Sequence, residues 1–198
     1  MKKKFSNIYQ FIITLKDIQP PVWRRIQVPE TYTFWDLHVA IQDVMGWSDY
    51  HLHQFKINEP VTSAKVEIGI PDEEDDDYYE ILPGWKQKIA DYFSQNNKTA
   101  VYKYDFGDNW HHSILLEKIL PREDGLLYPV CIDGQRACPP EDCGGPSGYE
   151  DFLEIIKDPG HERYEELLEW SGDFEPEYFD KHDVVFDDPA KRYKTLRY

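Results

Sequence analysis

The sequence predicts an α+β fold with a mixed or antiparallel sheet, a ubiquitin-like strand–strand–helix–strand start, a central hairpin and C-terminal helices. Three observations predict it. The early segments alternate polar and apolar residues as half-buried strands do, an aromatic hairpin pattern follows midway, and apolar residues near the end recur at helical spacing. No linker rich in Gly, Ser or Pro interrupts the 198 residues, so we expect one domain over residues 1–198.

Two strands and a helix are predicted first. Residues 8–16 alternate so that their apolar side chains share one face, and residues 22–28 return as a second strand after two prolines. Thr33 and Asp36 have the spacing of a capping box, which begins a helix. Gly46 is expected to end that helix as a left-handed cap.

The next segments predict more strands and a polar loop. Residues 51–57 and 65–70 read as strands, and His51 and His53 would point toward one hydrated face of the sheet. A run of acids follows within residues 71–80, which we interpret as a solvated loop. A short helix is expected at residues 85–93.

The clearest hairpin joins residues 102–106 to residues 110–119. Aromatic residues alternate with polar ones on its first strand, and the residues between the strands are turn formers. On the second strand His112 shares a face with apolar residues, which is typical of a histidine that hydrogen-bonds inside a core. A further short strand is expected at residues 129–132.

The C-terminal part changes to helical spacing. Ser147 and Glu150 have the spacing of a second capping box, which predicts the start of a helix. A second helix is expected at residues 161–170, after a Pro-Gly break. The tail beyond Gly172 is expected to lie over the body in irregular form.

Charge and composition exclude several classes of protein. The net charge of −16 would repel the negatively charged phosphate backbone of a nucleic acid, which argues against a nucleic-acid partner. No apolar run reaches the roughly 18 residues of a membrane span, so we expect a soluble, cytoplasmic protein without a membrane partner. Three cysteines do not make a disulfide framework, and we expect free thiols or metal ligands.

Five stretches resemble one known family. They are YQFIITLKDIQPPVWRRIQVP, HLHQFKI, YDFGDNWHHSILLE, ACPPEDCGGPSGYEDFL and LEWSGDFEPEYFD, and together they span most of the chain from Ile8 to Asp180. The family is the Ri-plasmid open-reading-frame-three family, whose members are often labelled TnpR-like resolvases. The resemblance implies a compact α+β fold and a link to plasmids and mobile elements, but no particular activity.

A resolvase role fits the residues poorly. A recombinase needs a nucleophile that attacks a phosphodiester and arginines that neutralise the developing charge. The seven arginines of this chain are scattered, and no helix-turn-helix pattern is evident. A DNA recombination accessory role is therefore the third of our hypotheses.

A metal site is one interpretation of the cysteine-containing loop. Cys138 and Cys143 are separated by four residues, two of them prolines, which is the loose end of zinc-ligand spacing. His112 would complete a zinc site with both thiolates, and His111, Asp108 and His53 are alternatives. The competing interpretation is a rigid turn whose cysteines pack as small hydrophobic residues.

Two carboxylates are candidate general bases. Asp108 or Glu141 would serve a metal-dependent, hydrolase-like enzyme, which is our second hypothesis. The simpler interpretation makes Asp108 a turn residue that bonds nearby backbone, and places Glu141 or Asp142 near a helix N-terminus.

The first hypothesis is a non-enzymatic binding or regulatory module. The many aromatic residues and the absence of a catalytic signature favour an aromatic-lined groove that faces a protein or peptide partner. The predicted groove residues are Tyr104, Asp105, Phe106, Trp110 and Tyr149.

Overall fold

The computed structural model describes residues 4–71 and 81–195. This part of the chain contains eight strands and five helices. Their bounds are β1 Asn7–Leu15, β2 Trp23–Pro29, α1 Phe34–Met45, β3 His53–Asn58, β4 Lys65–Gly69, β5 Ile81–Pro83, α2 Ile89–Tyr92, β6 Thr99–Tyr104, β7 Trp110–Pro121, β8 Val130–Gln135, α3 Gly145–Ile155, α4 Tyr164–Ser171 and α5 Pro189–Thr195.

All eight strands join one sheet in the order β5-β4-β3-β6-β7-β1-β2-β8. Every neighbouring pair is antiparallel except β4 and β5, which are parallel. Helix α1 contacts both β2 and β4, so it crosses the sheet and buries most of its surface there. The α+β class and the strand–strand–helix–strand start are confirmed.

The central hairpin is also confirmed. β6 pairs with β7 in a register that places Tyr104 opposite Trp110 and Tyr102 opposite His112. These four side chains are buried, while Val101 on the opposite face is exposed. One face of the hairpin therefore belongs to the core, as the alternation predicts.

Local capping signals place the ends of α1 correctly. The Thr33 side chain accepts from the backbone of Asp36, and the Asp36 side chain accepts from the backbone of Thr33. Gly46 has a φ of 81° and its N–H donates to the carbonyl of Gln42. The capping box and the glycine end are both confirmed.

The capping box predicted at Ser147 and Glu150 does not begin α3, so this prediction was wrong. The helix begins at Gly145, and its N-cap is Gly144 in a left-handed conformation, so Ser147 already lies inside the first turn. Pro146 occupies the first turn, where its missing N–H costs nothing. Asp108 accepts a hydrogen bond from the backbone of Gly144 at 3.1 Å, and this tertiary contact fixes the start of the helix.

Other elements differ from the prediction in extent. The helix expected at residues 85–93 is the single turn α2, and the one expected at 161–170 begins at Tyr164. The third strand begins at His53, which leaves His51 in the preceding loop. The tail is irregular at residues 173–188, as predicted, but then forms α5, and β5 was not predicted. The acidic run of residues 72–77 lies outside the described residues.

Within the described ranges, no helix combines the length and apolar character that crossing a membrane requires.

His112 is one of the fully enclosed rings of the hairpin. It has no exposed surface, and it lies against the rings of Trp47 and Tyr102 at centroid distances of 5.4 and 5.3 Å. Burial lowers the pKa of His112 to about 3, so the ring is neutral in the folded protein at ordinary pH.

We therefore predict that His112→Phe removes a pH-dependent loss of stability. The lowered pKa means that the folded state excludes a proton that the unfolded state binds below about pH 6.5. Relative to the variant, the wild type should lose about 1.4 kcal/mol of unfolding free energy per pH unit between about pH 6 and 4. Urea denaturation at several pH values measures this. His182→Phe, at an exposed position, is the control, and a pH-independent difference for His112→Phe contradicts the prediction.

Candidate functional site

Three side chains with metal-ligating atoms meet at one end of the sheet. His51 lies in the loop before β3, Asp105 directly follows β6, and Asp142 lies in the loop before α3. The Nε2 atom of His51 is 3.0 Å from Oδ1 of Asp142 and 3.7 Å from Oδ2 of Asp105. One ligand atom from each residue lies within 4.8 Å of the others, and no other such group of three was found among the described residues.

These separations are those of atoms that share one metal ion. Nitrogen and oxygen ligands bind a divalent ion at about 2.1 Å, which puts neighbouring ligands about 3.0 Å apart in octahedral and 3.4 Å apart in tetrahedral geometry. The distances from His51, 3.0 and 3.7 Å, lie near these values. The three residues could therefore hold a divalent ion after their side chains adjust.

The backbone at two of these residues is in a sparsely populated conformation. Asp105 has a φ of 52° and Asp142 a φ of 60°, both in the left-handed region. Aspartate tolerates this region better than most residues, but it still costs free energy. The Oδ1 atom of Asp105 accepts from the Gly107 backbone at 2.9 Å, which leaves Oδ2 toward His51.

Glu141 joins the three segments that carry these side chains. Its Oε1 accepts from the hydroxyl of Tyr104 at 2.6 Å, and its Oε2 accepts from the backbone N–H of Ser48 at 2.7 Å. Tyr104 precedes Asp105, Ser48 lies in the loop of His51, and Asp142 follows Glu141 directly. Both oxygens are thus engaged in holding the loops together, which opposes the predicted role as a free general base.

Asp108 has a structural partner as well. Its Oδ2 bonds the N-cap of α3 at Gly144, as described above, and its backbone lies against Gly145. A β-carbon on Gly145 would overlap the carbonyl oxygen of Asp108. The interpretation of Asp108 as a residue that bonds nearby backbone fits this geometry better than a catalytic one.

The structure does not bring the predicted zinc ligands together. His112, Cys138 and Cys143 do not form a ligand group among the described residues, because His112 is enclosed in the aromatic core of the hairpin. Burial raises the pKa of Cys138 and raises that of Cys143 to about 12, so both thiols are protonated when no metal ion is bound. The metal-ligating side chains that do converge among the described residues are His51, Asp105 and Asp142.

The predicted groove residues are mostly core. Tyr104, Trp110 and Tyr149 have at most 1 % of their surface exposed, so they cannot line a groove. Phe106 is 47 % exposed, and Asp105 belongs to the three-residue site. His53 was expected on a hydrated face but is buried, with its ring stacked on His38 at 3.5 Å.

An open pocket borders one side of the site. Asp142 and Cys143 form part of its wall, and the remainder comes from α3 and α4 with the segment before it. The pocket measures about 280 Å³ and includes Phe152, Arg163 and Trp170. A molecule in the pocket would therefore lie beside the Asp142 carboxylate.

A sequence signal for this site did exist. Each of the three residues lies in a separate one of the stretches HLHQFKI, YDFGDNWHHSILLE and ACPPEDCGGPSGYEDFL. Our prediction grouped histidine and cysteine by closeness in sequence, whereas the fold selects one residue per stretch. Asp49 in the His51 loop, and Arg192, which lies 3.9 Å from it, were not identified from the sequence at all.

The chain is similar to a protein family, to a bacterial protein and to a solved archaeal structure. The family described as "Plasmid pRiA4b ORF-3-like protein" matches residues 7–183. The chain is 38% identical over 167 residues to the uncharacterized protein y4hQ of Sinorhizobium fredii, which covers 84% of this chain and 82% of that protein. The crystal structure of the protein of unknown function MM3350 from Methanosarcina mazei Go1 is similar at 50% identity with a TM-score of 0.87, over 92% of this chain and 100% of that one.

We predict that Gly145→Ala destabilises the protein and loosens the loop of Asp108. The new methyl group overlaps a backbone oxygen, which cannot move away as a flexible side chain would. The loss should be about 2–4 kcal/mol, from left-handed strain plus overlap. Gly125→Ala is the matched control, since Gly125 also has a positive φ but nothing lies within 4 Å, and its cost should stay near 1 kcal/mol. Equal losses in chemical denaturation contradict this account.

Proposed function

The chain belongs to the plasmid pRiA4b ORF-3-like family, and we propose that it is a divalent-metal-binding module. The observation that carries the proposal is the convergence of His51, Asp105 and Asp142 within ligand distance of one another. One imidazole and two carboxylates suit a first-row ion such as Zn²⁺ or Mn²⁺. Zinc was the ion expected from the sequence, and it stays the first to test.

The state of His51 supports this proposal. Its Nε2 atom is shielded from solvent and makes no hydrogen bond of acceptable geometry within the described residues, although both carboxylates lie near it. A buried polar atom without such a bond costs free energy. A metal ion bound to Nε2 would relieve that cost and satisfy both aspartates at once.

Outer contacts also resemble those of metal sites. Protein ligands to metals are commonly oriented by hydrogen bonds from a second set of residues. Glu141 bonds no ligand directly but anchors the neighbouring residues Tyr104 and Ser48, and the Tyr104 ring lies edge-on to His51 at 5.8 Å. The ligand-bearing loops are therefore held in place before an ion binds, which lowers the entropic cost of binding.

We predict that the purified protein binds about one equivalent of Zn²⁺ and that His51→Ala removes this binding. Isothermal titration calorimetry on metal-free protein measures the affinity, and a zinc-dependent rise in melting temperature provides a second readout. The control is His182→Ala, which removes an exposed histidine far along the chain and should bind as the wild type does. Equal binding by both variants, or none by the wild type, contradicts the proposal.

We predict that Glu141→Ala weakens zinc binding about 10–100-fold without removing a ligand, because the three loops lose their common acceptor. Glu154→Ala, at an exposed position on α3, serves as the control. The zinc affinity of Glu141→Gln should lie between those of Glu141→Ala and Glu154→Ala, since the glutamine amide retains one oxygen that can accept from the Tyr104 hydroxyl. Unchanged affinity in Glu141→Ala would show that the loops are held independently of this carboxylate.

A metal-dependent hydrolase is the second candidate, favoured by the pocket beside Asp142. Three protein ligands leave coordination positions for water, whose pKa a bound ion lowers. Hydrolysis of 4-nitrophenyl esters by zinc-loaded wild type, but not by His51→Ala, is the expected result for an enzyme. No turnover above the His51→Ala background supports a purely binding role.

A protein or peptide partner for the module stays a prediction. The surface beside the site contains three exposed hydrophobic side chains, on Tyr50, Leu52 and Phe106. The first two flank His51 and the third follows Asp105, so a partner bound there would cover the metal site.

A further inference from the structure

An ion pair and two hydrogen bonds hold the short helix α5 against α1. Arg192 on α5 approaches Oδ1 of Asp43 on α1 to 2.6 Å, and the other oxygen of Asp43 accepts from the backbone of Asp187 at 2.9 Å. The indole of Trp35 donates to the carbonyl of Pro189 at 3.0 Å. These contacts fix a helix of only seven residues, which is too short to be stable alone.

The same guanidinium faces the loop that carries His51. Its Nη1 is 3.9 Å from Oδ2 of Asp49, and both atoms are buried without a hydrogen bond inside the described part of the chain. The Asp49 side chain is only 4% exposed. Arg192, which pairs more closely with Asp43 and Asp187, also brings a positive charge near this buried carboxylate.

The second oxygen of Asp49 belongs to a buried network. His38 lies 2.8 Å from Oδ1 of Asp49 through Nε2 and 2.8 Å from the Tyr102 hydroxyl through Nδ1. Burial keeps the pKa of His38 well below its ordinary value, so the neutral ring donates from Nε2 to Asp49 and accepts at Nδ1 from Tyr102. Asp49 is thus fixed on one side by His38 and faces α5 on the other.

Asp49 also sets the course of the backbone toward the metal site. Its φ of 62° is left-handed, and it lies two residues before His51. A non-glycine residue stays in this conformation only where the surroundings hold it. Movement of the Asp49 side chain would therefore turn the backbone that leads into His51.

We propose that Arg192 is a positioning residue for His51, so that docking of α5 and occupancy of the metal site support each other. The inference rests on the proposed metal site and adds its control by the C-terminal helix. With Arg192 in place, Asp49 stays buried and His51 stays beside Asp105 and Asp142. Without it, the uncompensated Asp49 carboxylate turns toward water and draws His51 out of ligand distance.

The coupling has a definite sign. The metal ion and Arg192 both stabilise the same conformation of the loop at residues 47–52, so the effect is positive cooperativity. Linkage then requires reciprocity: whatever factor α5 docking adds to metal affinity, the metal adds to α5 docking. Typical coupling factors of about 5–150-fold are within reach of calorimetry and hydrogen exchange.

Full-length variants of Arg192 test the first direction. We expect Arg192→Ala to weaken Zn²⁺ binding about 10-fold and Arg192→Lys to remain within about 3-fold of the wild type, because lysine keeps the charge near Asp43 and Asp49. Arg122→Ala is the matched control, since it removes an exposed arginine whose guanidinium lies over the ring of Phe5. Equal zinc affinity in Arg192→Ala and Arg122→Ala overturns the inference.

Hydrogen–deuterium exchange tests the reverse direction. Zinc should slow exchange of the backbone amides of Lys191 and Arg192, which donate to the carbonyl of Asp188, while the α4 amides should not respond. The slowing should vanish in His51→Ala. If zinc binds the wild type but leaves hydrogen exchange in α5 unchanged, the proposed coupling is contradicted. The proposed metal site is then still supported. If zinc does not bind the wild type, the proposed function fails and the inference with it.

Discussion

The carboxylate of Glu141 is the contact on which the site depends. It accepts one hydrogen bond from Tyr104 and one from the Ser48 backbone, and so it ties together loops that are distant in sequence. Burial and the bond to Glu141 raise the pKa of Tyr104, so its hydroxyl remains a donor throughout the ordinary pH range. Without this common acceptor, the segment that carries Asp142 would lose its bonds to Tyr104 and Ser48.

The sheet provides the fixed frame beneath those loops. The paired strands β6 and β7 bury one continuous aromatic face, which includes Tyr102, Tyr104 and Trp110. Aromatic packing of this kind leaves little freedom at the strand ends. Asp105 emerges directly from the buried end of β6, and the N–H of Asp105 bonds the carbonyl of Leu52, next to His51. Two of the proposed ligands are thereby fixed to each other through the backbone.

Sequence patterns predicted the parts of the fold that local chemistry determines. The helix α1 follows from its capping box and from Gly46, and the hairpin follows from alternation, because those signals act over a few residues. Helix α5 escaped prediction because its stability comes from tertiary contacts of Arg192. The site was only partly predictable: its residues lie in the noted stretches, but which of them meet depends on the strand order, which periodicity does not specify.

The most direct test of the central claim is a crystal structure of the protein grown with Zn²⁺, with data collected at the zinc absorption edge. The account predicts one strong anomalous peak about 2.0–2.2 Å from Nε2 of His51 and from one oxygen each of Asp105 and Asp142. A peak at Cys138 and Cys143 instead, or no peak within reach of His51, would contradict it.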